Sequence, residues 1–111
     1  MLTFKPTPLA AEMAYTAYDE QGAVCGQIVF ALRGYTVEIL SLQVADGDPE
    51  TQEGLLRSAL HYAGNRNAYV AVYLADTATD VAKNLGFAMQ GDRLYGEIPE
   101  LLQGRCCKEK D

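Results

Sequence analysis

The chain has 111 residues with 15 acidic and 9 basic side chains, which give it a formal net charge of -6 at pH 7. This length predicts a single domain over residues 1–111, with its core at about 12–98 and a C-terminal tail at about 103–111. The negative charge disfavours nucleic-acid binding, because it repels phosphate backbones. All apolar runs are far shorter than the ~20 residues of a membrane-spanning helix, so we expect a cytoplasmic protein that does not bind membranes.

The three cysteines do not form the framework of a small secreted domain. Cys25 lies in an apolar strand pattern, where a buried, small apolar side chain is expected, and Cys106 and Cys107 are adjacent in a polar tail. No His or Cys partner stands at the spacing of a zinc site. The sequence therefore predicts reduced cysteines and no metal site.

Three strands are predicted in the first half of the chain. Residues 12–19 alternate and are rich in Tyr and Ala, and a turn separates them from the apolar run over residues 23–33. Gly34 ends that run, and residues 35–44 are apolar and β-branched enough for a buried central strand. This pattern favours an antiparallel meander.

A helix is predicted after the third strand. Asp48 and Pro49 fit an N-cap and the first helical position, apolar residues at helical spacing give the helix a buried face, and Gly64 ends it. That predicted face consists of Leu55, Leu56, Ala59, Leu60 and Ala63. An interior strand over residues 68–75, a short helix over 77–85 and a hairpin over 86–98 complete the pattern.

The predicted element order is βββαβαββ, in an α+β fold with a mixed, mostly antiparallel sheet and about two helices. The strands on either side of the first helix should be parallel, because a helical crossover joins them. The segments "VEILSLQV", "LLRSALHYA", "YVAVYLA" and "LGF", in this order and spacing, resemble the core of the GNAT superfamily of acetyl-CoA-dependent N-acetyltransferases. The resemblance covers about residues 14–98.

In that family a glycine-rich loop, Q/R-x-x-G-x-G/A, holds the pyrophosphate of coenzyme A on backbone N–H groups at a helix N-terminus. The corresponding loop here, "ADGDPETQE", is about two residues shorter and has Gly47 as its only glycine. Its acidic side chains would repel a phosphate, and Pro49 has no N–H. The resemblance therefore implies that the pyrophosphate loop is degenerate here and forms an ordinary capped helix start.

The resemblance also implies positions for the cofactor. Acetyl-CoA would contact the strand residues Leu42, Gln43 and Val44 through its pantetheine arm, and its phosphates would lie among residues 46–51. The candidate phosphate contacts in that loop are Asp48, Glu50 and Thr51.

Glu38 matches the glutamate that some GNAT enzymes use as general base, although an exposed strand residue or an ion pair explains it equally well. Ala82 stands where many relatives have a tyrosine that acts as general acid. Tyr73 and Tyr95 are possible substitutes, although packing is the commoner role of such tyrosines. Asp76 stands where the family often has an Asn, and the alternative is that Asp76 or Thr77 caps the short helix.

Two functional hypotheses follow from the resemblance. The first is an N-acyltransferase, acetyl-CoA-dependent and with an unknown amine or protein acceptor, in which Glu38 is the base. The second is a non-catalytic GNAT-like binding or interaction module that has lost coenzyme A binding. The family's two N-terminal helices have no counterpart in "MLTFKPTPLAA". Either an edge strand there together with a partner subunit completes the acceptor groove, or no acceptor groove exists. A homodimer that covers the exposed sheet or strand edge is expected. His61 has no catalytic partner nearby and is predicted to be a surface residue.

Overall fold

A computed structural model describes residues 2–8 and 12–102, so the predicted tail with Cys106 and Cys107 lies outside the described residues. The elements in chain order are β1 (Thr3–Pro8), β2 (Met13–Tyr18), β3 (Val24–Arg33), β4 (Thr36–Val44), α1 (Pro49–Gly64), β5 (Val70–Tyr73), α2 (Thr79–Leu85), β6 (Ala88–Gln90) and β7 (Arg93–Glu97). Residues 98–102 are also helical. None of these helices is long and apolar enough to cross a membrane. The predicted α+β fold is confirmed.

All strands belong to one sheet in the order β1-β2-β3-β4-β5-β7-β6. The pair of β4 and β5, which α1 connects, is parallel, as the sequence predicts. Every other neighbouring pair is antiparallel. The mixed sheet arises because only the helical connection returns the chain in the same direction.

The first strand, β1, was not in the predicted order, which therefore becomes ββββαβαββ. It pairs with β2 at the edge of the sheet, where Pro6 is tolerated because its missing N–H can face outward. The ring of Phe4 lies over α1 at Gly54, so closely that a Cβ at residue 54 would be 2.5 Å from Phe4 Cζ. The N-terminal segment thus completes one edge of the sheet and packs on the helix.

The core lies between the sheet and α1. The buried residues of α1 include all five predicted ones and also Thr51. They pack on the inward side chains of the central strands, among them Ile28, Phe30, Val37 and Ile39, which are fully buried. One continuous core therefore joins the sheet to α1.

The face of the sheet opposite α1 carries a small polar network across β1, β2 and β3. Thr7 and Thr16 hydroxyls are hydrogen-bonded at 3.0 Å, and Gln27 Nε2 donates to Thr16 Oγ1 at 3.2 Å. This cross-strand network satisfies Thr16, which is 4% exposed. The apolar residues Ala14 and Val29 lie on the same face, so it is mixed in character.

The short helix α2 begins two residues later than predicted. Its N-cap is Ala78, with φ 57° and ψ 28°, and no side chain caps it. The prediction that Asp76 or Thr77 caps this helix is wrong, because the Thr77 hydroxyl bonds to β4 instead. The helical residues 98–102 were also not predicted; Leu101 is buried there, next to Gly96.

Candidate functional site

The strands β4 and β5 pair over only four residues and then separate. The last backbone hydrogen bond between them runs from Leu74 N to Ile39 O, at 2.8 Å. Beyond it β4 continues to Val44, while the chain after β5 turns towards α2. A bulge at Leu40, opposite Val29 and Phe30, lies where the separation begins. We call the space beside residues 40–44 the β4–β5 gap.

The predicted pantetheine contacts Leu42 and Val44 direct their backbone polar groups into this gap. Ala45 N donates to Cys25 O at 2.9 Å. Because the backbone polar groups of successive strand residues point to alternate sides, those of Gln43 also bond to β3, and those of Leu42 and Val44 point away from it. The carbonyl of Leu42 accepts the Thr77 hydroxyl at 2.5 Å. The carbonyl of Val44 accepts Gly47 N–H at 3.1 Å. Both carbonyls therefore have partners within the chain.

The N-terminus of α1 is capped by a carboxylate, as predicted. Asp48 Oδ2 accepts Thr51 N–H at 3.0 Å and the Thr51 hydroxyl at 2.7 Å, and Pro49 is the first helical residue. Asp46 Oδ1 in turn accepts Asp48 N–H at 3.1 Å. The two aspartates thus occupy backbone donors that an anion at this helix end would need.

The surroundings of this helix end are also acidic. A groove between the N-terminal half of α1 and α2 is lined by Pro49, Glu50, Glu53, Val81 and Asn84. Glu50 is exposed, and Glu53 forms an ion pair with Arg57 at 2.9 Å. Negative side chains next to the positive end of a helix stabilise the helix and oppose the approach of a phosphate. The candidate phosphate contacts Asp48, Glu50 and Thr51 stay predictions.

Glu38 is half-buried on β4 and forms an ion pair with Arg33. Arg33 Nε donates to Glu38 Oε1 at 2.8 Å. This hydrogen bond, and the charge of the carboxylate, raise the pKa of the Arg33 guanidinium. The ion pair that was the alternative for Glu38 is therefore confirmed. Its cation, Arg33, was not identified from the sequence, although the short turn between β3 and β4 places the two residues on neighbouring strands. The general-base role of Glu38 stays a prediction.

Tyr73 is buried at the end of β5, where its hydroxyl donates to Thr77 O at 2.6 Å. Burial, with a smaller effect of the Asp76 carboxylate, raises the pKa of Tyr73 to about 12. Its ring makes an edge contact with Phe87 at 5.8 Å. Tyr73 is therefore neutral at physiological pH, and its proton already has an acceptor.

Three further positions taken from the resemblance differ in their surroundings. Ala82, where the resemblance implies a tyrosine in the family, is fully buried in α2. Tyr95 is half-buried on β7 opposite Val72, and Asp76 is exposed. The role of Tyr95 as a substitute acid stays a prediction.

His61 and Cys25, two further residues considered above, differ in exposure. His61 is exposed, as predicted. Cys25 is half-buried instead of buried, and its Sγ donates to Ala17 O at 3.4 Å. Within residues 2–8 and 12–102, no group of three or more His, Cys, Asp or Glu side chains is arranged to hold a metal ion.

Comparison with solved structures identifies the architecture. The spermidine/spermine N-acetyltransferase SpeG of Vibrio cholerae, solved in mutant forms, matches with a TM-score of 0.62 and 18% identity, over 86% of this chain and 72% of that chain. An acetyltransferase of the GNAT family from Staphylococcus aureus Mu50 matches with a TM-score of 0.65 and 16% identity, over 79% and 68%.

A third match is the GNAT family N-acetyltransferase YhbS of Escherichia coli, solved in complex with CoA. Its TM-score is 0.61 at 18% identity, over 83% of this chain and 62% of that chain. No protein-family model matches the sequence, and no curated protein matches it. The similarity is therefore one of structure, with TM-scores of 0.61 to 0.65 for these three neighbours. The chain has the fold of the GNAT superfamily of N-acetyltransferases.

Proposed function

We propose that the chain is a GNAT-fold binding module that does not use acyl-CoA. The observation that carries this proposal is the capped N-terminus of α1, where Asp48 accepts both polar hydrogens of Thr51. A pyrophosphate bound in the manner of the family would have to displace this carboxylate. The displaced Asp48 would then remain beside the ligand as a like charge.

The backbone N–H groups at the start of α1 support the same proposal, because those of Thr51 and Gln52 already have acceptors. Pro49 has no N–H, Thr51 N–H bonds to the Asp48 side chain, and Gln52 N–H bonds to Asp48 O at 3.0 Å. An anion cradle needs several N–H groups that converge on one point. In the first turn of α1, the Thr51 and Gln52 N–H groups bond to Asp48 instead.

The β4–β5 gap offers a second line of support. An extended chain such as pantetheine binds a strand edge through unpaired backbone groups. The carbonyls of Leu42 and Val44, which face the gap, already accept hydrogen bonds from Thr77 and Gly47. A ligand that bonds to these carbonyls would gain little from them unless it displaced those donors, because exchanging one hydrogen bond for another is nearly neutral.

The charge of the chain bears on the partner that such a module would bind. The net charge is -6, and Asp46, Asp48 and Glu50 lie together at the gap end of α1. This field raises the encounter rate of cationic partners and lowers that of anionic ones. We therefore propose a cationic small molecule or a protein with a basic surface. A homodimer and a cytoplasmic location stay predictions.

A second candidate is an acetyl-CoA-dependent N-acyltransferase. It is favoured by Glu38, which lies on β4 two residues before the bulge that opens the gap. One structural neighbour is a spermidine/spermine N-acetyltransferase and another was solved with CoA, so an amine acceptor and an acyl-CoA donor are the corresponding proposal here. In this candidate Glu38 removes a proton from the amine before the amine attacks the thioester carbonyl.

An assay of CoA release separates the two candidates. Acetyl-CoA is incubated with spermidine or a lysine peptide, and the free thiol is measured for the wild type and for Glu38→Gln. The binding module predicts the same thiol release with either protein as without protein. Turnover by the wild type that falls by ~10²-fold in Glu38→Gln, the usual effect of losing a general base, would establish the enzyme and overturn the module.

A further inference from the structure

The two edge strands of the sheet, β1 and β6, differ in the backbone groups that they direct outwards. Hydrogen-bonded and non-hydrogen-bonded pairs alternate along an antiparallel ladder, so one backbone bond determines which residues of a strand face which neighbour. On the β1 side that bond runs from Ala45 N to Cys25 O, at 2.9 Å. Followed through the pairing of β4 with β3, β3 with β2 and β2 with β1, it leaves the backbone groups of Phe4, Pro6 and Pro8 directed outwards. Two of these three residues are prolines without an N–H, so this edge is protected against the addition of another strand.

On the β6 side, the bond from Ile98 N to Tyr69 O, at 2.8 Å, determines the same alternation for the ladder of β5 and β7. The residues of β7 that do not bond to β5 bond to β6, where their partners are Ala88 and Gln90. Met89 lies between these two residues, so its N–H and its C=O are directed away from β7. The outer edge of β6 therefore presents one donor and one acceptor at the same residue.

The surroundings of Met89 leave these two groups accessible. All three residues of β6 are exposed, and the Met89 side chain is 59% exposed. Residues 86–90 carry no charge, and β6 contains neither the proline nor the lysine that commonly protects a sheet edge. The β6 edge is thus open to the addition of a strand, whereas the β1 edge is not.

We propose that β6 pairs with β6 of a second copy of the chain, in antiparallel orientation about a two-fold axis at Met89. In this register the Met89 N–H donates to the carbonyl of Met89 of the partner subunit, and the reverse bond forms by symmetry. The two seven-stranded sheets become one continuous sheet. This inference goes beyond the proposed function and is independent of it, because β7 separates β6 from the strands of the β4–β5 gap.

The occupant is a second copy because the edge is self-complementary. The two-fold axis brings two copies of Met89 together, about 5.5 Å apart at their Cα atoms, so each exposed thioether side chain covers the other. An edge without charged residues also limits the repulsion between two chains that each carry a net charge of -6. Because β6 is only three residues long, the interface is small, and we expect a weak and reversible dimer.

Sedimentation velocity of the full chain tests the dimer, at concentrations from about 10 µM to about 1 mM that cover the dissociation constants of weak complexes. We expect the wild type to be a dimer at the upper end of this range. Met89→Pro removes the outward N–H but none of the bonds between β6 and β7, as Pro6 does at the other edge. Dimerisation of Met89→Pro should be at least about tenfold weaker, because both backbone bonds of the pair are lost. Met89→Leu keeps the N–H and an apolar side chain, and it should dimerise as the wild type does.

A second variant keeps the proposal testable if Met89→Pro fails to fold. Met89→Lys retains the backbone groups and places two like charges opposite each other at the axis. It should dimerise several-fold more weakly than the wild type, and the difference should be larger at low salt, because ions screen the repulsion.

The register has a readout of its own. In a mixture of isotope-labelled and unlabelled wild type, the Hα of Ala88 and the Hα of Gln90 of the partner subunit should give an intermolecular nuclear Overhauser effect, because they form a closely spaced non-hydrogen-bonded pair. A wild type that stays monomeric at about 1 mM would overturn the proposal. A dimer that Met89→Pro leaves unchanged would overturn it too, since the interface would then lie elsewhere. In the monomeric case, a blocked pentapeptide of valine and threonine that shifts the Met89 amide would assign this edge to a strand of a different protein.

Discussion

The carboxylate of Asp48 accepts two hydrogen bonds from Thr51, one from the backbone N–H at 3.0 Å and one from the hydroxyl at 2.7 Å. Thr51 is 4% exposed, so its hydroxyl has little access to water as an alternative partner. This contact fixes the start of α1, where the resemblance to the GNAT superfamily implies the pyrophosphate loop.

Asp48→Ala should therefore lower the free energy of unfolding by about 1–3 kcal/mol, because it removes the N-cap and leaves a buried hydroxyl without its acceptor. Asp48→Asn retains an acceptor oxygen and should lower it by less than about 1 kcal/mol. Urea unfolding of both variants measures the difference. Equal losses in the two variants would show that the charge matters and the cap geometry does not.

Gly96 should not tolerate a side chain. A Cβ at this position would lie 2.8 Å from both terminal carbons of Leu101, which is 2% exposed. Gly96→Ala should cost about 1–3 kcal/mol of unfolding free energy, since overpacking displaces the helical residues 98–102. Gly64→Ala is the control, because its Cβ would lie 3.5 Å from Ile98 Cγ2 and alanine favours a helix.

A double-mutant cycle tests the cause of the Gly96 effect. Leu101→Ala removes the atoms that the new Cβ would meet, so Gly96→Ala should cost clearly less in that background. An undiminished cost in the Leu101→Ala background would place the strain in the backbone of β7 and reject the contact with Leu101.

The stability of the fold should depend on alkaline pH through Tyr73. Burial raises its pKa to about 12 in the folded chain, against the value of about 10 expected when unfolded. A raised pKa means that the folded state holds the proton more tightly, so this contribution is complete below about pH 10 and is lost between pH 10 and 12. Tyr73→Phe has no such proton, and its unfolding free energy should fall less over that interval.

The comparison is made by urea unfolding of the wild type and Tyr73→Phe at pH 8, 10 and 11. Parallel decreases in both proteins would assign the alkaline loss to other groups. Tyr95→Phe is a matched control, because Tyr95 is half-buried and lies on the neighbouring strand β7.

Glycines alone should not restore a phosphate cradle. The double variant Glu50→Gly/Gln52→Gly introduces flexible residues, but Asp48 still caps the helix and the loop keeps its present length. We expect no heat of binding with acetyl-CoA and a loss of about 1–2 kcal/mol in stability from two helical glycines. Glu50→Ala/Gln52→Ala controls for the removed side chains. Saturable binding by the glycine variant would contradict this prediction.

Some features of the fold follow from sequence neighbours and could be predicted. The cap at Asp48 and Pro49 depends on residues within one turn, and the apolar face of α1 depends on a regular spacing. The ion pair of Arg33 with Glu38 could also be predicted from the sequence, because a short hairpin turn brings these residues together. Local chemistry determines such contacts.

Other features depend on contacts between distant residues. Thr77 reads as a helix cap in its own neighbourhood, but Leu42, 35 residues away in the sequence, provides a carbonyl that takes its hydroxyl. Pro6 is compatible with a strand only at the edge of a sheet, and the pairing of β1 with β2 provides that edge. These outcomes require the tertiary structure, since the competing partner is not visible in the local sequence.

The proposal that this chain does not bind acyl-CoA is tested most directly by calorimetric titration of the wild type with acetyl-CoA. The titration is done at low and moderate salt, because ions screen phosphate contacts. We predict no saturable heat at either salt concentration up to millimolar ligand, since Asp46 and Asp48 occupy the start of α1. Binding in the micromolar range that weakens with salt would contradict the proposed function and would show that this GNAT-fold chain binds acyl-CoA.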